Sequence, residues 1–296
     1  MAVGGTIAAP VAVKSAADGI YASARVGIWH VDQIDTSDFE VRSFSSRFGV
    51  RGETELGNGL SAYGRYEWDV DFNDEETISL RHRYVGLRGD FGSVTLGQDY
   101  HTFYNFVVGP VDSPWWHSGY GMINYRGRTD NAVTYFGGSG AVSYGTSLYF
   151  TDDADEEDID EVELGFSVNL GDTTLAVAYQ HTETTQGAFP PTDEDIVGIT
   201  WSDIAIGSTT LAVNYMNQGN IDSFVADWWI GHAYVHVENL DFDTVGWDIL
   251  YLTLGYTQTL GRKTTMYYEI NETKNGDVFS EFDRTTVMAI LKYNII

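Results

Sequence analysis

The chain has no cysteine, so neither a disulfide framework nor a thiolate metal site is available to it. It has only 5 prolines and no Pro/Ser-rich linker, which favours one domain over two. No apolar run approaches the roughly 20 residues that a membrane helix needs. Positive charge is scarce: 16 Lys and Arg stand against 43 Asp and Glu, a net charge of −27 that disfavours nucleic acid as a partner. The shortage is also local. From Asp130 to Gly261 there is no Lys or Arg, although that stretch holds 22 of the 43 acids, while eight arginines fall between Arg25 and Arg88. Charge separated along the chain becomes charge separated in space if consecutive strands are neighbours. No P-loop, dinucleotide fingerprint or nucleophile motif is present, so nothing calls for an enzyme or a cofactor. His232 and His236 fall on one strand face without a third ligand, and no metal site is assigned.

What the chain does have is alternation. In Gly19 to Val31, residues Ile20, Ala22, Ala24, Val26 and Ile28 share one face, and Tyr21, Ser23, Arg25 and Gly27 the other. Period-two alternation marks a strand between two unlike environments. Phe39 to Glu53 sets Phe44, Phe48 and Val50 against Ser43, Ser45, Arg47 and Arg51. Leu60 to Phe72 sets Tyr66, Trp68 and Val70 against Arg65, Glu67 and Asp69, and Ile78 to Asp90 sets Ile78, Leu80 and Tyr84 against Ser79, Arg81 and Arg83. Short glycine turns alternate with longer polar loops, and aromatics gather on the apolar face towards strand ends. Apolar-outward, polar-inward strands with such a girdle describe a transmembrane antiparallel β-barrel with a wet lumen. Fourteen strands are legible. Residues 218–246 hold either two more, giving sixteen, or one long loop.

His101 to Thr129, HTFYNFVVGPVDSPWWHSGYGMINYRGRT, interrupts the pattern. Its aromatics are too apolar to stay solvated, so the segment is expected to fold into the barrel mouth and narrow it. Residues 1–17 read as the remnant of a signal peptide and 18–296 as a single outer-membrane β-barrel domain.

Arg83 to Asp99, RYVGLRGDFGSVTLGQD, followed by the long loop, resembles the fourth strand, turn and fifth strand of the general porins of Gram-negative outer membranes. Thr253 to Ile270, TLGYTQTLGRKTTMYYEI, resembles that family's late hairpin. The resemblance implies an all-β, sixteen-stranded barrel in the cell outer membrane, usually a homotrimer, with the third loop folded into the lumen. It implies passive diffusion of ions and small hydrophilic solutes, with outer-membrane lipid and lipopolysaccharide around it. In many members the third loop carries acids that face a wall of arginines. Here its only acid is Asp112, near Trp115 and Trp116.

The expected pore constriction therefore comprises Arg25, Arg47, Arg65, Arg81 and Arg83 on the wall, Asp112, Trp115 and Trp116 on the loop, and Glu161 and Glu163 from another strand. Neighbouring strands lie about 4.8 Å apart, so arginines on four consecutive strands form one basic patch. The plainer reading is that they pair with Glu67 and Asp69 and only tie the wall together. The acidic run Asp152 to Asp160 reads as a solvated loop rather than a calcium site. Acidic mouths concentrate cations and the arginines oppose them; the total charge leans towards cation selectivity. A solute-selective, anion-binding channel and a non-channel surface barrel or adhesin remain as alternatives.

Overall fold

A computed structural model describes residues 19–71, 73, 78–115, 123, 125, 127–150, 159, 161–182, 195–243 and 246–296. Residues 1–17 and Trp116 lie outside the described residues. Before the long loop come β1 (Gly19–Gln33), β2 (Thr36–Ser43), β3 (Ser46–Gly57), β4 (Leu60–Val70), β5 (Ile78–Gly89) and β6 (Gly92–Tyr100). After it come β7 (Arg128–Thr129), β8 (Ala132–Ser139), β9 (Val142–Tyr149), β10 (Glu161–Leu170), β11 (Thr173–Thr182) and β12 (Ile196–Ile206). The chain finishes with β13 (Thr209–Gln218), β14 (Ile221–Ile230), β15 (Ala233–Phe242), β16 (Trp247–Thr259), β17 (Thr264–Asn275) and β18 (Arg284–Asn294).

Neighbours pair antiparallel, and β18 pairs with β1 from Ser23↔Asn294 to Gln33↔Arg284, so the sheet closes. Segments β2 and β3 both pair with β1 and form one broken stave. Segment β7 is only a two-residue ladder on the end of β6, whose main partner is β8. The eighteen segments thus make a closed barrel of sixteen staves. Residues 218–246 supply two of them, β14 and β15, joined to β13 by the tight Gly219–Asn220 turn.

The alternation is inside-out. Along β10, Glu161, Glu163, Gly165 and Ser167 are buried while Leu164 and Phe166 are exposed. Along β16, Thr253 is buried while Leu250, Leu252, Leu254 and Tyr256 are exposed. A fully buried Leu or Phe gains roughly 1.5–3 kcal/mol over its exposed form, so so many outward apolar side chains require hydrocarbon outside. Closure then pairs the backbone groups that a free sheet edge would leave unsatisfied in lipid.

Two bulges beside the arginines shift the alternation. Val26 pairs with Ser43 but Ser23 with Arg47, so one extra residue lies between β2 and β3. Ser45 takes it up with φ 60°, a left-handed backbone uncommon outside glycine. Beyond the bulge the phase reverses. Phe39 and Val41 are exposed, and Phe44, read from sequence as outward, is buried with Met288 and Ile290. On β5, Glu67 pairs with His82 but Trp68 with Leu80, leaving Arg81 as the extra residue. Below it His82 and Tyr84 oppose Glu67 and Arg65, whereas Arg83 opposes the outward Tyr66.

Candidate functional site

The chain leaves the wall at His101, whose ring nitrogens lie 2.9 Å from the Thr129 carbonyl and 3.0 Å from Thr134 Oγ1. Burial holds its imidazole below the ordinary range, which keeps it neutral near pH 7. Two short helical turns follow, Tyr104–Val108 and Gly109–Val111. Their apolar side chains, Phe103, Phe106, Val107, Val108 and Val111, are buried against Ala176, Ala178, Ile196, Ala212 and Met216 of β11, β12 and β13.

Polar groups on the buried faces of the strands fix the path of this segment. Ser147 Oγ on β9 accepts from the Thr102 amide at 3.0 Å. Glu163 on β10 accepts the Phe103 amide at 2.8 Å and the Tyr149 hydroxyl at 2.7 Å. The Val107 carbonyl accepts from Thr200 Oγ1 of β12 at 2.7 Å and from Asn214 Nδ2 of β13 at 3.0 Å. Trp229 Nε1 of β14 donates to Ser113 Oγ at 3.0 Å. Glu269 Oε1 of β17 accepts the Trp115 amide at 2.8 Å and also the Tyr234 hydroxyl. Irregular backbone at this depth needs such partners, because an unpaired buried amide costs about 1–3 kcal/mol.

The wall also makes room by leaving side chains out. A Cβ at Gly165 would stand 2.5 Å from Phe106 Cδ2, and one at Gly198 2.4 Å from Val107 Cγ1. Glycine at these two strand positions is a socket for the loop.

The basic wall lies elsewhere, on β1, β3, β4 and β5. Arg65 contacts Glu67 at 2.5 Å and Tyr21 Oη at 2.8 Å. Arg81 reaches Glu67 at 3.1 Å and Asp69 at 3.3 Å. Arg47 donates to Ser45 Oγ at 3.2 Å, and that hydroxyl donates in turn to Asp69 at 2.7 Å. Arg25 lies over the Trp115 ring, 5.3 Å from its centroid. Four of the five arginines read from sequence are thus gathered. Arg83 is a correction: the bulge at Arg81 turns it to the outward face, where it pairs with Asp130. Lys292, which sequence reasoning missed, stands directly opposite Arg25 across β1 and β18.

The expected acids divide differently. Glu161 and Glu163 are buried, and Glu163 is occupied as a loop tether. Asp112 remains open to solvent although neighbouring protein crowds it. That crowding pushes its carboxyl above the usual range, against the hydrogen bond it accepts from Tyr104 Oη at 2.8 Å. His236 is buried with its Nδ1 2.5 Å from Asp227 Oδ1, while His232 sits at the exposed turn after β14.

This architecture is similar to solved structures of porins and outer-membrane proteins. The Salmonella typhi OmpF complex with daunomycin superposes with a TM-score of 0.71 at 14% identity, covering 94% of this chain and 98% of that one. OmpT of Vibrio cholerae, in its trimer form, gives 0.70 at 16% identity, covering 94% of this chain and 100% of that one. Among curated relatives, outer membrane porin protein 32 of Delftia acidovorans is 25% identical over 289 residues, 79% of this chain and 75% of that protein. Outer membrane porin C of Serratia marcescens is 34% identical over 67 residues, 21% of this chain, and outer membrane protein U of Vibrio vulnificus 32% over 114, 37% of this chain. Those two matches span only 18% and 33% of the relatives' own lengths. The model of the Gram-negative porin family matches residues 5–294, nearly the whole length. The chain belongs to the Gram-negative porin family, and its sixteen-staved barrel is one of the outer membrane.

Proposed function

We propose that this porin is a water-filled diffusion channel whose constriction runs between the segment 101–115 and the wall bearing Arg25, Arg47, Arg65, Arg81 and Lys292. One observation carries the reading: the tethers of the segment come from β9, β10, β12, β13, β14 and β17, whereas the arginines come from β1, β3, β4 and β5. One half of the wall holds the loop and the other half is left to face solute. The plainer reading, arginines that only tie the wall together, accounts for Arg65 and Arg81, which have carboxylate partners. It does not account for Arg25 or Lys292.

The constriction favours anions. Five cations face it, with Glu67 and Asp69 among them, while Glu163 and Glu269 are occupied by loop amides. The whole-chain charge of −27 acts at the mouths and favours cations there. At the narrowest point nearby fixed charges outweigh distant ones, since the screened interaction decays over a Debye length of about 8–10 Å. Three copies assemble, as in the trimer form of OmpT of Vibrio cholerae. Planar-bilayer recording with a KCl gradient tests the reading. Current steps in groups of three with an anion-leaning reversal potential support it; folded protein that yields no steps favours a surface barrel with a closed lumen.

A further inference from the structure

The basic wall has two parts that differ in how their charge is met. Arg65 and Arg81 are held by Glu67 and Asp69 at 2.5–3.3 Å. Arg25, Arg47 and Lys292 form no ion pair with a carboxylate among the described residues. Arg47 reaches Asp69 only through the Ser45 hydroxyl. Arg25 is 7% exposed, and among the described residues its Nε has no hydrogen-bond acceptor. The three belong together: Lys292 pairs in register with Arg25, Arg47 pairs with Ser23 one inward position away on β1, and each acts electrostatically on the others. Cations brought together and partly desolvated are costly unless a negative group answers them; Glu67 and Asp69 act on Arg25, and Glu67 on Arg47, only through space, and among the described residues no carboxylate makes direct contact with the three.

What faces them from the loop is aromatic. The Trp115 ring lies over Arg25 and packs against Tyr267 with ring centroids 4.4 Å apart. Its backbone is anchored by Glu269, so the ring is held in place while remaining partly exposed. Glu269 itself is turned to the Trp115 amide and the Tyr234 hydroxyl.

Resting on the channel reading above, we propose that Arg25, Arg47, Lys292 and Trp115 form a binding step for small carboxylates that carry a flat apolar ring. The carboxylate meets the fork of Arg47 and the point charge of Lys292, with Arg25 adding its field from behind. The ring of the solute lies against Trp115, a contact that a plain aliphatic anion of equal charge does not make. Charge attracts the solute and the aromatic face selects it.

The test uses the intact porin in a planar bilayer at about 0.1 M KCl, where charges are only moderately screened. Sodium benzoate, sodium acetate and neutral benzamide are added in turn, and the loss of KCl current is followed against concentration. Benzoate should act saturably, at roughly three- to tenfold lower concentration than acetate, as one aromatic contact provides. Benzamide should have little effect. Trp115→Ala should remove the preference for benzoate over acetate. Lys292→Gln should weaken benzoate block and move the reversal potential towards cations. Equal block by benzoate and acetate in the parent protein overturns the inference and leaves the channel reading standing. Block by benzamide equal to that by benzoate overturns the role of the three cations. A folded trimer that passes no KCl current overturns the channel reading, and this inference with it.

Discussion

The two halves of the barrel wall use the same alternation for opposite ends. From β9 to β17 many inward positions serve the loop: Gly165 and Gly198 receive its side chains, Ile196 and Met216 share its apolar cluster, and Glu163, Thr200, Asn214 and Glu269 fix its backbone. From β1 to β5 the inward positions include Arg25, Arg47, Arg65 and Arg81, with Glu67 and Asp69 between them. A carboxylate on the first half is a structural acceptor; on the second it is a counter-charge. Inward and polar is therefore not one role, and what the loop covers decides which role a residue has.

The largest effect should come from closing a socket. Gly198→Leu places a side chain where Val107 lies, since even a Cβ there would stand 2.4 Å from Val107 Cγ1. Overpacking of this kind costs about 1–3 kcal/mol. The loop should be pushed towards the arginine wall, and single-channel conductance should fall, with a lower unfolding temperature. Unchanged conductance would mean that the loop does not set the width.

Exchanging the two kinds of carboxylate sharpens the contrast. Glu163→Ala leaves the Phe103 amide and Tyr149 hydroxyl unmet and should cost about 1–3 kcal/mol in thermal unfolding. Glu163→Gln retains an acceptor, should recover most of that loss, and should leave the reversal potential unmoved. Glu67→Gln should instead shift the reversal potential towards anions. A unit charge about 6 Å from the solute path in water-like dielectric is worth roughly 0.7 kcal/mol, or about threefold in permeability ratio. If Glu163→Gln moved the reversal potential as far as Glu67→Gln, the division of the wall would fail.

A smaller effect is expected with pH. Protein crowding raises the Asp112 carboxyl above its ordinary value, so this group takes up a proton at a higher pH than a free aspartate does. As pH falls through that raised value, the loop loses a negative charge and selectivity should move further towards anions. Asp112→Asn should already show the low-pH selectivity at neutral pH and lose that part of the pH response.

Much of this was legible in the sequence because a strand has period two. The alternation along Gly19 to Val31, Phe39 to Glu53 and Leu60 to Phe72 places Arg25, Arg47, Arg65 and Glu67 on the inward face. It fails where the period slips. Ser45 and Arg81 each insert one residue, and the slips turn Phe44 inward and Arg83 outward. Neither bulge has a glycine to announce it. Residues 218–246 resisted counting because Gly219–Asn220 is a tight turn at the end of the barrel where longer loops prevail. Lys292 had a signal: it lies between outward Leu291 and Tyr293, so it points inward, and closure makes its strand the neighbour of β1. The tether role of Glu163 and the sockets at Gly165 and Gly198 had none. They depend on the path of the loop, which follows from three-dimensional packing and not from any local period.

The most direct test of an open arginine wall and a covered opposite wall exploits the absence of cysteine. Single cysteines are introduced by Arg47→Cys on β3 and by Ala178→Cys, a position buried beneath the loop on β11. A charged, thiol-reactive methanethiosulfonate is then applied to conducting channels in a bilayer. Arg47→Cys should lose current in steps within seconds, and Ala178→Cys should be untouched on that timescale. Rapid block at Ala178→Cys, with Arg47→Cys inert, would place the solute path on the other side of the loop and contradict the arrangement described.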